Sequence, residues 1–236
     1  MKKFTKFIPL LIISFLLFSS FECSTDDDDN IPENNEDNNG NSNGDNNTPK
    51  GNDYFSEKQI NQANTAKDAD YLSEQEKLVI LYCNLARMDG VAFTNAYLDN
   101  IKNSNNEYEK TLISDLKDVK DVQLLYPNEN LCKASKAHAS DMNKNNFFAH
   151  DSYDGTGCFD RVKKYYKGGY MAENISGGYS DALSIVKQLL IDKNTPSLGH
   201  RKNILGSNYC RIGVGIDKHP TYRYCCVQDF SDSKGD

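Results

Sequence analysis

Phe147-Phe148-Ala149-His150, Ala172-Glu173-Asn174-Ile175, Leu189-Leu190-Ile191-Asp192 and Gly199-His200-Arg201-Lys202-Asn203-Ile204-Leu205 are the four patches on which the reading of this chain turns. Each sets one imidazole or one carboxylate among apolar neighbours. The segments between them carry many glycines and few apolar runs, so they read as turns and loops. Glu173 sits among apolar neighbours, Met171, Ala172 and Ile175, and a buried lone charge is costly. An imidazolium or a metal would supply the partner it needs. Asp192 closes an apolar helix, where the helix dipole disfavours a negative charge. It either finds a partner or stays solvated. Spacing alone does not bring the four groups together.

Around these patches the pattern alternates between helix and strand. Ser73, followed by Gln75 and Glu76, opens a helix to about Met88, with Leu78, Leu81, Tyr82 and Leu85 on one face. Asp89-Gly90 ends it. Residues 92–101 and 108–116 read as two further helices. Leu124 to Pro127 is extended. The next helix runs from Glu129 to about Asn145 and places Leu131, Ser135, His138 and Met142 at three- and four-residue steps. His138 therefore reads as a packed or capping histidine. Phe147 and Phe148 anchor the loop that carries His150. Residues 158–166 suit a short helix, and Asp181 caps another over residues 182–192. Residues 211–217 and 221–230 form an antiparallel hairpin across Lys218-His219-Pro220. Gly213 and Gly215 predict that another element packs closely on it.

The N-terminus has a different character. Lys2, Lys3 and Lys6 precede an apolar run over residues 7–18, and Cys23 follows shortly. This is a secretory signal whose apolar core is too short for a comfortable membrane span. Cys23 resembles the lipidated cysteine of a bacterial lipoprotein; the alternative is an ordinary signal with an unrelated cysteine. Residues 24–53 carry nine acids against one lysine and almost no apolar side chains. Such a stretch cannot offset its chain entropy. The expected division is a signal over 1–22, a disordered acidic tether over 23–70 and a folded domain over 71–236. Asp26 to Asp29 resemble the acidic signal that carries some lipoproteins to the cell surface; they also suit a plain solvated spacer. The expectation is an exported outer-membrane lipoprotein anchored through Cys23, at the cell surface if the acidic run acts as an address and facing the periplasm if it is a spacer.

The net charge of −7 sits almost wholly in the tether, so the domain is near neutral. No basic patch points to nucleic acid or anionic lipid. Of seven cysteines, six remain if Cys23 is lipidated. An even number in an exported domain suggests disulfides. Cys225 and Cys226 are neighbours in a strand, so they point to opposite faces and should pair with different partners. No C-x-x-C spacing supports a four-cysteine zinc site.

Taken in order, F-F-x-H, A-E-N-I, an apolar helix ending in an acid, and G-H-R-x-N-I-L resemble the CAP superfamily. This family comprises cysteine-rich secretory proteins, antigen 5, pathogenesis-related 1 proteins and bacterial relatives. The likeness continues through Ile212-Gly213-Val214-Gly215-Ile216 and Val227-Gln228-Asp229-Phe230, and spans Tyr71 to Phe230. Relatives usually carry tryptophan at the place of Leu189 and an acid three residues on, here Asp192. The resemblance implies an α+β fold, a three-layer α-β-α sandwich with a small antiparallel sheet. It also implies a cleft where His150, Glu173, Asp192 and His200 converge. Two imidazoles and one or two carboxylates suit zinc or another divalent metal; the same groups also suit a hydrogen-bonded network that shapes the cleft. The implied function is an extracellular binding module for a lipid, peptide or glycan. The alternative is a metal-assisted, protease-like hydrolase, although neither a G-x-S-x-G elbow nor an H-E-x-x-H helix is present.

Overall fold

Ser73 and Glu76 exchange side-chain and backbone hydrogen bonds, and this capping box opens helix α2 (Glu74–Met88). The computed structural model describes residues 51–169 and 171–233. The signal sequence, Cys23 and the acidic run after it lie outside the described residues. α2 is preceded by α1 (Glu57–Ala63) and followed by α3 (Gly90–Tyr97), α4 (Glu107–Leu116), β1 (Tyr126–Pro127), α5 (Glu129–Asn145) and α6 (Cys158–Lys163). Then come β2 (Met171–Gly177), α7 (Ala182–Ile191), α8 (Gly199–Leu205), β3 (Arg211–His219) and β4 (Arg223–Ser231). The helix expected over 92–101 is split: α3 ends at Tyr97, and a single 3-10 turn covers Asp99–Ile101.

The folded region begins earlier than residue 71. A second capping box at Ser56 opens α1, which buries Ile60 and Ala63. Phe55 is fully buried and stacks on Tyr97 at 6.4 Å. One aromatic ring and a helix-spaced apolar pair give this stretch the burial that tether composition denies.

The sheet has the order β1-β3-β4-β2. β3 and β4 form the expected hairpin, and β2 pairs antiparallel with β4. β1 is the departure, because it runs parallel to β3. Tyr126 N–H donates to the Cys210 carbonyl and Asn128 N–H to that of Ile212. α5 lies in the long crossover that a parallel pair requires. The sheet is therefore mixed.

Alternation along the strands divides the core between the two faces of the sheet. Ile212, Val214, Cys226 and Phe230 join the large cluster beneath α2 and α7. Ile175, Cys225 and Val227 face the other way, against Ala139 and Met142 of α5. A Cβ at Gly213 would lie 2.3 Å from the Leu131 backbone, and one at Gly215 would lie 2.5 Å from that of Lys136. These two glycines let α5 sit directly on β3.

Cys225 and Cys226 do point to opposite faces. Among the described residues the expected disulfides are not formed: Cys83, Cys132, Cys158, Cys210, Cys225 and Cys226 are thiols. Most sit in apolar packing and behave as small hydrophobes. Burial pushes Cys83, Cys132 and Cys225 up to about 12.

Beyond its two-residue pairing with β1, the outer edge of β3 is met by side chains. Val214 N–H points at the Cys132 sulfur, Ile216 N–H donates to Glu76, and Lys218 N–H donates to Asp217. Glu76 is itself buried and paired with Lys136 at 3.0 Å. Arg87 is fully buried and spends its guanidinium on the carbonyls of Gln123, Ile204, Gly206 and Tyr209. It ties α2 to the connector between α8 and β3.

Candidate functional site

β2 presents Glu173 on the α5 face and Asn174 on the face of α7 and α8. Glu173 Oε1 accepts from His150 Nδ1 at 2.9 Å, and Oε2 accepts from Arg161 of α6. Burial alone would raise this carboxyl. The hydrogen bond from His150 and the Arg161 guanidinium instead hold it at about 2. Arg161 also donates to the His150 carbonyl at 2.7 Å, so it grips both the acid and the backbone of the imidazole. Directly across the ladder lies Asp229. Burial, followed by the Glu173 charge, pushes Asp229 well above the usual carboxylate range. It hydrogen-bonds Glu173 and accepts from Ser135 Oγ at 2.6 Å. Neither Arg161 nor Asp229 was singled out from the sequence. The signal available was the unmet demand of Glu173 for a cation.

The second acid is built differently. Asp192 ends α7 in the left-handed conformation, with φ 56°. Its Oδ1 accepts from His200 Nδ1 at 2.7 Å and its Oδ2 from Arg201 N–H at 3.1 Å. Arg201 covers the end of α7, donating to the carbonyls of Leu190 and Ile191. It continues to Tyr108, Thr111 and Asp115, so α4 is braced on the same side chain. The buried guanidinium answers the dipole objection to an acid at this helix end.

The four predicted residues thus come together as two His–acid pairs flanking one strand. Asn174 links the second pair to β2: its Nδ2 donates to the His200 carbonyl at 3.2 Å and to Gln228 Oε1 at 3.0 Å. Asn203 Nδ2 donates in turn to Asn174 Oδ1 at 2.8 Å. Each carboxylate closes on its own imidazole, Glu173 on His150 and Asp192 on His200. Among the described residues, no three His, Cys, Asp or Glu side chains are grouped so that they could hold a metal. Both carboxylates are committed to imidazole Nδ1 atoms and to arginine or backbone donors.

The acids are fully buried, whereas His150 and His200 keep 14% and 11% of their side-chain surface exposed. Each Nδ1 faces a carboxylate and so carries a proton; in the neutral ring the lone pair then belongs to Nε2. His138 is buried on α5, as its helical spacing predicts, and its Nε2 donates to the Ala149 carbonyl at 2.9 Å.

Comparison with known proteins agrees with the motifs. The sequence pattern of the cysteine-rich secretory protein family (CAP) matches residues 82–230, more than half of the chain. YkwD of Bacillus subtilis, a protein described as uncharacterized, is 35% identical over 114 residues, covering 46% of this chain and 42% of that protein. The uncharacterized membrane protein YlbC of the same species is 37% identical over 82 residues, covering 34% of this chain and 22% of that protein. The chain therefore spans less than half the length of these relatives. An extracellular SCP-domain protein from Bacillus anthracis has 25% identity and a TM-score of 0.42, covering 59% of this chain and 41% of that one. An outer surface protein from Borrelia burgdorferi has 22% identity and a TM-score of 0.41, covering 56% of this chain and 96% of that one. The assignment rests on the sequence match and on the motif order that β2, α7 and α8 display: the chain belongs to the cysteine-rich secretory protein (CAP) family.

Proposed function

We propose that this is an exported binding module, anchored through a lipidated Cys23, whose cleft holds a divalent cation, zinc by preference, on Nε2 of His150 and His200. One observation carries the reading: two fully buried acids each hold an imidazole through Nδ1, while the rings alone reach the surface. A carboxylate on the far nitrogen is the usual support of a metal-binding histidine, fixing its tautomer and raising its basicity. Glu173 and Asp192 are thus supports in this reading, not ligands. A cation held by two imidazoles keeps coordination positions open. When bound, it supplies a Lewis acid to which a carbonyl or carboxylate oxygen of an extracellular peptide, glycan or lipid can attach.

Calorimetric titration of zinc into chelator-treated protein tests this. Wild type is expected to bind, and His150→Ala and His200→Ala to bind far more weakly. Asp192→Ala should lose about 10–100-fold, as expected for a residue that supports a ligand. If the His150/His200 double variant binds as wild type does, the cleft is a structural network. Turnover of a peptide library that chelator abolishes would move the assignment to a metal-assisted hydrolase. Cys23→Ser should shift the protein from the detergent phase to the aqueous phase.

A further inference from the structure

We infer that His138 and His219 are positioning residues for His150, two buried clamps on the backbone of the loop that carries it; this rests on the cleft reading above. The loop over residues 147–150 leaves α5 through Asn146, which is left-handed with φ 50°. None of its four residues belongs to a strand or helix. Its carbonyls are nevertheless held. His219 Nε2 donates to Phe147 O at 2.9 Å, His138 Nε2 donates to Ala149 O at 2.9 Å, and Arg161 donates to His150 O. The three donors come from the end of β3, from α5 and from α6, so the loop is gripped from three directions.

Two details separate clamping from plain packing. His219 Nδ1 accepts from Thr221 N–H at 3.1 Å and Tyr222 N–H at 3.2 Å. Its proton is thereby placed on Nε2, aimed at Phe147. His138 is fully buried, and its Nδ1 has no hydrogen-bond partner. An unpaired buried acceptor carries a desolvation cost, which a leucine or methionine at the same helical step would avoid. What His138 supplies in return is an N–H at Ala149, one residue before the functional imidazole. Each clamp also packs edge-on against one of the two phenylalanines: His138 on Phe147 and His219 on Phe148, both at 6.1 Å. The chain has four histidines, and all four then serve one cleft, two presented and two presenting.

The test reads the His150 Nδ1 proton by 1H–15N NMR on the metal-free protein, together with zinc affinity. The variants are His138→Leu, His219→Leu and His138→Gln, which returns an N–H donor. Leu112→Ala, in the buried face of α4, is the control for lost stability alone. Both leucine variants are expected to speed exchange of the His150 proton and to weaken zinc by about tenfold, the size expected for loss of a support. Leu112→Ala should change neither at a matched loss of melting temperature, and His138→Gln should recover most of the wild-type behaviour. Unchanged proton exchange in both leucine variants overturns the clamp. So does a change that merely tracks melting temperature as in Leu112→Ala. If wild type binds no zinc, the metal reading fails and the proton exchange decides the clamp alone. If His138→Leu does not fold, His219→Leu and His138→Gln decide it.

Discussion

Glu173 and Asp229 face each other across the β2–β4 ladder on the same side of the sheet, and they ionise in opposite senses. Two adjacent carboxyls in a dry interior do not both ionise. Arg161 and His150 stand on the Glu173 side and settle which one does. Asp229 is the partner pushed towards its neutral form.

Asp229→Asn should therefore leave stability at pH 7 unchanged or raised. The folded state raises the Asp229 pKa above its ordinary 3.8, so this group favours folding in acid and costs stability as pH rises through that value. An asparagine keeps both hydrogen bonds, accepting from Ser135 and donating to Glu173, without that cost. A clear fall in melting temperature at pH 7 would refute this.

Acid should act mainly through Glu173. Its folded pKa of about 2 lies below the ordinary 4.5, so the stability it contributes is complete above about 4.5 and is lost as pH falls towards 2. The size is on the order of 3 kcal/mol. Asp229 acts in the opposite direction over part of this range. The informative measurement is thus the difference between wild type and Glu173→Gln in urea unfolding at about pH 6, 4 and 2.5, a span that covers most of the shift. The difference should shrink steadily with acid.

Arg161→Ala should cost about 3–5 kcal/mol, because it leaves a buried carboxylate without its counter-charge. Arg161→Lys should recover only part of this. A single ammonium cannot reproduce the planar fork that reaches Glu173, the His150 carbonyl and Ser152 together. Equal stability of the Arg161→Lys variant and wild type in chemical denaturation would refute the double grip.

Gly213→Ala and Gly215→Ala should each destabilise by about 1–3 kcal/mol or more, the cost of forcing atoms into a filled contact. The added methyl meets helix backbone, which cannot rotate away. Normal melting in both variants would mean that α5 rides farther from β3.

Under native conditions a thiol reagent should modify Cys210 first among the cysteines of the described residues, since Cys83, Cys132, Cys158, Cys225 and Cys226 are buried. Burial also keeps Cys83, Cys132 and Cys225 protonated, and the thiolate is the reactive form. Reducing agent should leave the melting temperature where it was. A marked fall would reveal disulfides.

Much of this fold was legible because local signals agreed with one another. Ser73 with Glu76 announced α2, the steps from Leu131 to Met142 announced α5, and alternation around Gly213 and Gly215 announced the hairpin and its close neighbour. β1 escaped because two residues have no period. α1 escaped because Asp- and Asn-rich surroundings masked Phe55, Ile60 and Ala63. The disulfide expectation came from parity and compartment, which say nothing about whether two sulfurs meet. The pairing of His150 with Glu173 and His200 with Asp192 needed the fold itself. So did Arg161 and Asp229, each of which matters through a neighbour distant in sequence.

Glu76, Cys132 and Asp217 occupy the hydrogen-bonding row along the outer side of β3. An unoccupied row of this kind is a template on which a second chain can add a strand, and from there a fibril can grow. Wherever copies of a protein are crowded together, such self-templating is a standing hazard. The three side chains leave fewer free N–H groups there for an added strand, and Glu76 holds the centre of the row.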